Sequence, residues 1–277
     1  MDRIVFPRSA TKIFQCLALS SLNPRITKKE YSVICSSHNG QEEHVQIVSK
    51  FLKKNNLLAD HLVCGPHWSL EKNTFINQVR KYKEPTTLLS NCSGKHSGML
   101  LLSKLINADI RGYERLDHPV QKKIIEIINY LTEKNILDYP HGVDGCGVPA
   151  FSAPLRVWGM ALARFANDKD LPANLRNGKK LISNSIAKEP LFIAGERRIC
   201  TAIARSLGHK ITPKMGAEAV YFCSLNDLEL GLVLKCRDGS RRAVEFALGK
   251  ILKLLNFKIS KDLNKYFNSN IYNLSGE

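Results

Sequence analysis

Apolar residues recur at helical spacing through most of the chain, and the period changes to that of strands near its end. Ser9–Ser21 reads as a mostly apolar helix with Ser9 at its start. Tyr31–Cys35 is a short β-branched and apolar stretch that ends in a turn at Ser36–Gly40. An amphipathic helix follows over Gln41–Asn55, and another begins after Cys92, with Met99, Leu100, Leu101 and Leu102 filling its inner face. In Val120–Lys134, the residues Ile124, Ile125, Ile127, Ile128 and Leu131 fall at helical spacing. Leu155–Asn167, Arg176–Ala187 and Glu196–Leu207 read as further helices. Ala219–Leu225 and Leu230–Cys236 then read as two strands joined by the polar turn Asn226-Asp227, and an amphipathic helix covers Arg241–Leu255. A late antiparallel hairpin followed by a helix predicts an α/β layer with an all-helical insertion in mid-chain. No internal repeat or low-complexity segment is evident.

A chain of 277 residues can bury one substantial core. We expect a single domain over 1–277: a helical part at roughly 41–210, a sheet with its closing helix at roughly 211–257, and a polar tail at 258–277. No apolar run approaches the roughly 18 residues that span a bilayer. Met1–Pro7 has no signal-peptide pattern and runs straight into a motif. The eight cysteines have no regular spacing and make no disulfide framework. Cys16, Cys200, Cys223 and Cys236 lie in apolar segments, as small buried hydrophobes do. A reducing cytoplasm is therefore expected. The formal charge of +16 raises nucleic-acid binding. Its lysines and arginines are scattered, however, and no aromatic residues alternate with them as a stacking platform requires. Nucleic acid and membrane are excluded as partners, and the charge is left to steer an anionic ligand.

Candidate chemistry gathers in a few segments. Asn91-Cys92-Ser93-Gly94-Lys95-His96-Ser97-Gly98-Met99 and Asp144-Gly145-Cys146-Gly147-Val148-Pro149 each set a thiol among glycines. Neither has the spacing of a four-cysteine zinc ribbon, so two loops assembled by the fold are the better reading. Ser9-x-x-Lys12 places a hydroxyl and an amine one helical turn apart. Burial would lower the amine toward the range of a useful base, and N–H groups near the helix start could take an oxyanion. That spacing alone carries nothing, since Ser69 to Lys72 and Ser185 to Lys188 repeat it. Ser37 and Asn39 either serve chemistry or cap the turn before the Gln41 helix.

Together these segments resemble the asparaginase II family of bacterial L-asparaginases, the zinc-containing members that are similar to serine β-lactamases. Cys-Ser-Gly-Lys-His-Ser-Gly-Met and Asp-Gly-Cys-Gly-Val-Pro resemble its two signature segments. Pro7–Gln15, Cys35–Gly40, Lys214–Ala219 and Lys235–Arg242 resemble others in the same order, so the resemblance runs from about residue 5 to about 255. Ser37-His38-Asn39 resembles the Ser-x-Asn element of β-lactamase-like acyl enzymes, and Lys214-Met215-Gly216 resembles their Lys-Thr-Gly strand. The resemblance implies a serine β-lactamase/penicillin-binding-protein-like α/β fold, with an antiparallel sheet flanked by helices and a mainly helical subdomain. It implies L-asparagine as substrate and a homodimer. It also implies two catalytic pairs, Ser9 with Lys12 and Ser37 with Lys214, and a zinc ion held by Cys92, Lys95 and Cys146. Asp144 and His96 would support that ion, while His38 and His141 are read as hydrogen-bonded turn histidines.

Three departures from the family pattern matter. The chain starts almost on Ser9, where family members carry strands that begin the sheet, so the fold is expected to be truncated at its N-terminus. Ile13 stands where a proline usually follows the lysine, and Ala219 where a glycine closes Gly-Ala-Glu-Gly. If that glycine used positive φ, alanine would strain the turn. Three activities follow: an L-asparagine amidohydrolase acting through Ser9, a catalytically inactive relative that retains zinc or ligand binding, and a β-lactam- or peptide-processing acyl enzyme. The third gives the cysteine segments no role.

Overall fold

The computed structural model describes residues 2–268, with 270, 273 and 275. Among them are eleven α-helices and seven short strands. Strand β1 (Ile4–Val5) leads into a 3-10 turn at Arg8–Thr11 and then helix α1 (Lys12–Ser20). Every residue of α1 is buried, which takes its first side chain, Lys12, out of water. Helix α2 (Lys28–Ile34) occupies the short β-branched and apolar stretch to which the sequence assigned no element. A capping box at its start decides the matter: Thr27 Oγ1 accepts from Glu30 N–H, and the Glu30 carboxylate accepts from Thr27 N–H.

Helices α3 (Glu42–Lys54), α4 (Lys72–Lys81), α5 (Ser93–Leu105) and α6 (Pro119–Thr132) follow. Strands β2 (His141–Val143) and β3 (Pro149–Phe151) form a hairpin whose loop carries Cys146. Strand β4 (Ala153–Pro154) pairs antiparallel with β1. After α7 (Leu155–Ala166), α8 (Ala173–Lys188) and α9 (Ile199–Leu207) comes the main sheet. It is antiparallel, in the order β5 (Ile211–Met215), β6 (Val220–Leu225), β7 (Leu230–Lys235), with Lys214 opposite Phe222 and Met215 opposite Tyr221. Helices α10 (Arg241–Leu254) and α11 (Lys261–Asn264) follow it. The result is a mixed α/β structure with small antiparallel sheets.

Helix α1 is the axis of the core and packs on α5, α6 and α8. Phe14 reaches the other side, with its ring 5.8 Å from Phe165 on α7 and 6.0 Å from Phe222 on β6. Trp158 donates from Nε1 to the Val5 carbonyl at 3.2 Å, which fastens the N-terminal segment over α7. Lys12, the first residue of α1, is thus set by apolar packing on both sides of its helix.

The segment expected to be a polar tail is partly docked. Helix α11 and the 3-10 turn Lys265–Phe267 pack on α9 and α10, burying Leu263 and Phe267. The Phe267 ring fills the space that a Cβ on Gly249 would need. Residues 269, 271, 272, 274, 276 and 277 of that tail lie outside the described residues. Among the described residues no helix is long and apolar enough to cross a membrane. All eight cysteines are free, and seven are buried.

Candidate active site and metal centre

Ser37 lies between two buried amines. Its Oγ is 3.0 Å from Lys12 Nζ and 3.1 Å from Lys214 Nζ. Lys12 comes from the first turn of α1, Lys214 from β5, and Ser37 from the loop between α2 and α3. That loop is pinned by Ser37 N–H on the Ile193 carbonyl (3.3 Å) and Asn39 N–H on the Ala194 carbonyl (2.9 Å). Lys12 Nζ also donates to the carbonyls of Ser36 (2.6 Å) and Asn91 (3.3 Å), and Lys214 Nζ to that of Met215 (2.8 Å).

Burial disfavours the charged form of both amines. Lys214 is pushed down to about 7, by burial first and then by the charge of Lys12. Lys12 is lowered by burial as well, against the opposing pull of the Cys92 sulfur. A neutral lysine in hydrogen-bond reach of a serine hydroxyl is a base placed on a nucleophile or on a relay to one.

Ser9 sits in the 3-10 turn, half-buried, and its hydroxyl makes no hydrogen bond among the described residues. Lys12 reaches Ser37 rather than Ser9, because its amine is drawn to the Ser36 and Asn91 carbonyls. Ser9 and Ser37 nevertheless face one cleft of about 390 Å³, with Asn91, Arg198, Arg241 and the turn after β5 completing its wall. Gly216 makes the close contact possible: a Cβ there would overlap the Pro7 carbonyl, so only glycine lets the strand of Lys214 lie on the turn of Ser9. Beyond it Glu218 and Ala219 have φ of 58° and 53°. Ala219 therefore stands in the left-handed region, where a Cβ costs about 1–2 kcal/mol.

The second centre adjoins the first. Cys92 is the residue before α5, Lys95 lies in its first turn, and Cys146 projects from the β2–β3 loop. Lys95 Nζ is 2.9 Å from Cys146 Sγ, and Lys12 Nζ is 3.3 Å from Cys92 Sγ. Cys92 Sγ donates to Asn91 Oδ1 at 3.0 Å. The neighbouring Cys146 and then the charges of Lys12 and Lys95 hold Cys92 well below the usual thiol range, while the Cys92 sulfur and burial push Cys146 up. Burial opposes the charge on Lys95, but the sulfurs of Cys92 and Cys146 outweigh it and raise this amine.

Asp144 accepts from Arg8 Nε (3.0 Å) and Nη2 (2.5 Å) and from Gly145 N–H (2.7 Å), so it braces the cysteine loop. Arg8 also reaches Glu218 from Nη1 at 3.0 Å, joining that loop to the turn after β5. His96 Nδ1 is 2.7 Å from the Tyr113 hydroxyl, while its buried Nε2 has no partner. His38 accepts from Gly40 N–H at Nδ1 and lies 3.0 Å from Ser93 Oγ at Nε2. His141 sits on exposed β2 with Nδ1 3.1 Å from the Tyr139 carbonyl. His38 is the hydrogen-bonded turn histidine expected, whereas His141 is the first residue of β2, paired with Phe151. Among the described residues no three His, Cys, Asp or Glu side chains gather for a metal, so an ion between the thiols would need Lys95.

Asn39 does not cap α3. Its Oδ1 accepts from Arg198 Nη1 at 2.6 Å, and its Nδ2 donates to the Glu196 carbonyl at 3.0 Å. Arg198, Asn91 and the bracing role of Arg8 were not identified from the sequence. Only Arg8, by adjoining Ser9, and Asn91, by adjoining Cys92, carried any signal there.

Of the two expected Ser–Lys pairs, Ser9 and Ser37 line one cleft, and Lys12 and Lys214 are buried against Ser37. No curated protein matches the chain. The family model described as L-asparaginase II matches residues 1–277, the whole of it. The chain belongs to the L-asparaginase II family.

Proposed function

We propose that the protein hydrolyses the side-chain amide of L-asparagine to aspartate and ammonia through a serine acyl-enzyme. Family membership points to a hydrolase acting on amides. The observation that carries the serine mechanism is Ser37 Oγ held between Lys12 and Lys214 in the cleft that Ser9 faces. Ser9 Oγ attacks the amide carbon. Its proton passes by way of Ser37 to the neutral Lys214 and returns to the departing nitrogen as ammonia leaves. Water then cleaves the aspartyl ester by the same relay in reverse. The first N–H groups of the Arg8–Thr11 turn have no partner within the turn and take the developing oxyanion.

A lysine on a buried edge strand, set against a helix that opens with Ser-x-x-Lys, supports a β-lactamase-like arrangement. The donor set at the second centre fits zinc: two buried thiols, one of them held below the usual thiol range, beside an amine. Cys92, Cys146 and Lys95 would hold it, and bound zinc would supply positive charge beside the cleft.

A second reading makes Ser37 itself the nucleophile, because its hydroxyl and not that of Ser9 touches both amines. Ammonia release from L-asparagine by wild type, Ser9→Ala and Ser37→Ala separates the two, with acid-quenched samples mapped for an aspartyl ester. An ester on Ser9 that vanishes in Ser9→Ala supports the first reading, and an ester on Ser37 the second. A folded wild-type protein that releases no ammonia overturns both.

A further inference from the structure

The cleft holds a cation that no acid among the described residues neutralises. Arg198 precedes α9, and its Nη1 donates to Asn39 Oδ1, a neutral partner. The acids around it are engaged elsewhere: Glu71 pairs with Arg197 at 3.5 Å and Glu196 with Arg205 at 2.5 Å. Glu218, the carboxylate on the cleft wall, is bound by Arg8 at 3.0 Å. Glu245 on α10 faces both Arg198 and Arg241, and its own burial moves it toward the protonated form. Arg198 makes no ion pair among the described residues, and Arg241 lines the same cleft. Two like charges on one wall, the inner one largely stripped of water, cost free energy unless an anion arrives.

We propose that Arg198, with Arg241 at the mouth, receives the α-carboxylate of the amide substrate and so directs its side-chain amide toward Ser9 and Ser37. This rests on the amidohydrolase reading and deepens it: the preferred substrates are free α-amino acids, and amides lacking an α-carboxylate are poor ones. A guanidinium offers a carboxylate two parallel N–H donors. Asn39 holds one side of the group, which leaves the remaining donors for the ligand.

The test compares L-asparagine with L-asparaginol, in which an alcohol replaces the α-carboxylate and the side-chain amide is kept. Ammonia release is measured for wild type, Arg198→Met and Arg198→Lys. Arg198→Met is expected to raise KM for L-asparagine roughly 10- to 100-fold with a smaller change in kcat. It should leave kcat/KM for L-asparaginol near the wild-type value, and Arg198→Lys should recover part of the loss. An unchanged KM for L-asparagine, or equal losses on both substrates, overturns the assignment. If wild type releases ammonia from neither compound, the amidohydrolase reading falls, and calorimetric titration with L-aspartate judges Arg198 separately. Binding by wild type that weakens at least tenfold in Arg198→Met upholds the carboxylate site. Equal binding, or none by wild type, overturns it.

Discussion

Replacing Lys214 by methionine should stabilise the protein at neutral pH while abolishing its activity. Lys214 is 1% exposed and falls from its ordinary 10.5 to about 7, chiefly by burial. In the window between those values the unfolded chain binds the proton and the folded chain does not. Wild-type stability from this group therefore rises with pH through the window, and the cost of burying the amine is greatest below it. That cost is about 4 kcal/mol at pH 7 and about 1 kcal/mol at pH 10. Against it stand the hydrogen bonds to Ser37 Oγ, which keeps Lys12, and to the Met215 carbonyl, whose loss costs about 1–2 kcal/mol each. Lys214→Met should thus be more stable than wild type by about 1 kcal/mol at pH 7 and less stable by about 2 kcal/mol at pH 10. Urea unfolding of both proteins at the two values measures the swing. A difference that does not change with pH would show that Lys214 keeps its charge, and would refute its role as a base. The same group predicts that wild-type ammonia release climbs with pH through about 7, as Lys214 loses its proton.

Three further outcomes are open to measurement. Gly216→Ala should lower stability by about 1–3 kcal/mol, because its Cβ overlaps the Pro7 carbonyl, and kcat should fall with it as β5 shifts from the Ser9 turn. A urea midpoint equal to wild type would contradict that packing. Elemental analysis should find about one zinc per chain in wild type and none in Cys92→Ala or Cys146→Ala, as a two-thiol site requires. Undiminished zinc in either variant would place the ion elsewhere. Acid should weaken the fold as pH drops from 6.5 to 4, since burial lowers His44 to about 4 and the unfolded imidazole takes its proton first. His44→Gln should remove about 3 kcal/mol of that loss, and a wild-type slope in the variant would contradict it.

Periodicity revealed α3 and α6 to α10, each with one face committed to the core, while α5 and β6 showed as apolar runs that are buried all round. It was silent on α4, where Thr74 and Gln78, rather than a stripe of leucines, are the buried residues. It assigned no element to Tyr31–Cys35, where β-branched side chains sit in a helix that a cap starts and packing on α8 completes. Strand β5 was hidden from periodicity and placed only by the family resemblance: all five residues are buried, yet Pro213 and Lys214 interrupt any apolar run. A lysine can stay in such a strand only because hydrogen bonds receive its amine and burial lets it shed its proton.

The candidate site divides along the same physical line. Ser37, Lys214, Cys92, Lys95 and Cys146 stand in dense local motifs, where reactive side chains and a glycine share a few positions, and Ser9 with Lys12 gains weight from their company. Their mutual pairing is a different matter. Spacing joins Ser9 to Lys12, but distance joins Lys12 to Ser37 and to Cys92, which lie 25 and 80 positions away. Arg198 has no motif at all. It stands out only when the acids near it are accounted for one by one, because an unpaired charge is a property of its surroundings and not of its neighbours in sequence. The residues that supply chemistry can be read from the chain, whereas the residue that selects the substrate becomes visible only as an imbalance of charge on a folded wall. For this reason the comparison of L-asparagine with its alcohol analogue tests the structure more sharply than loss of activity in a serine variant, which the motifs alone would have predicted.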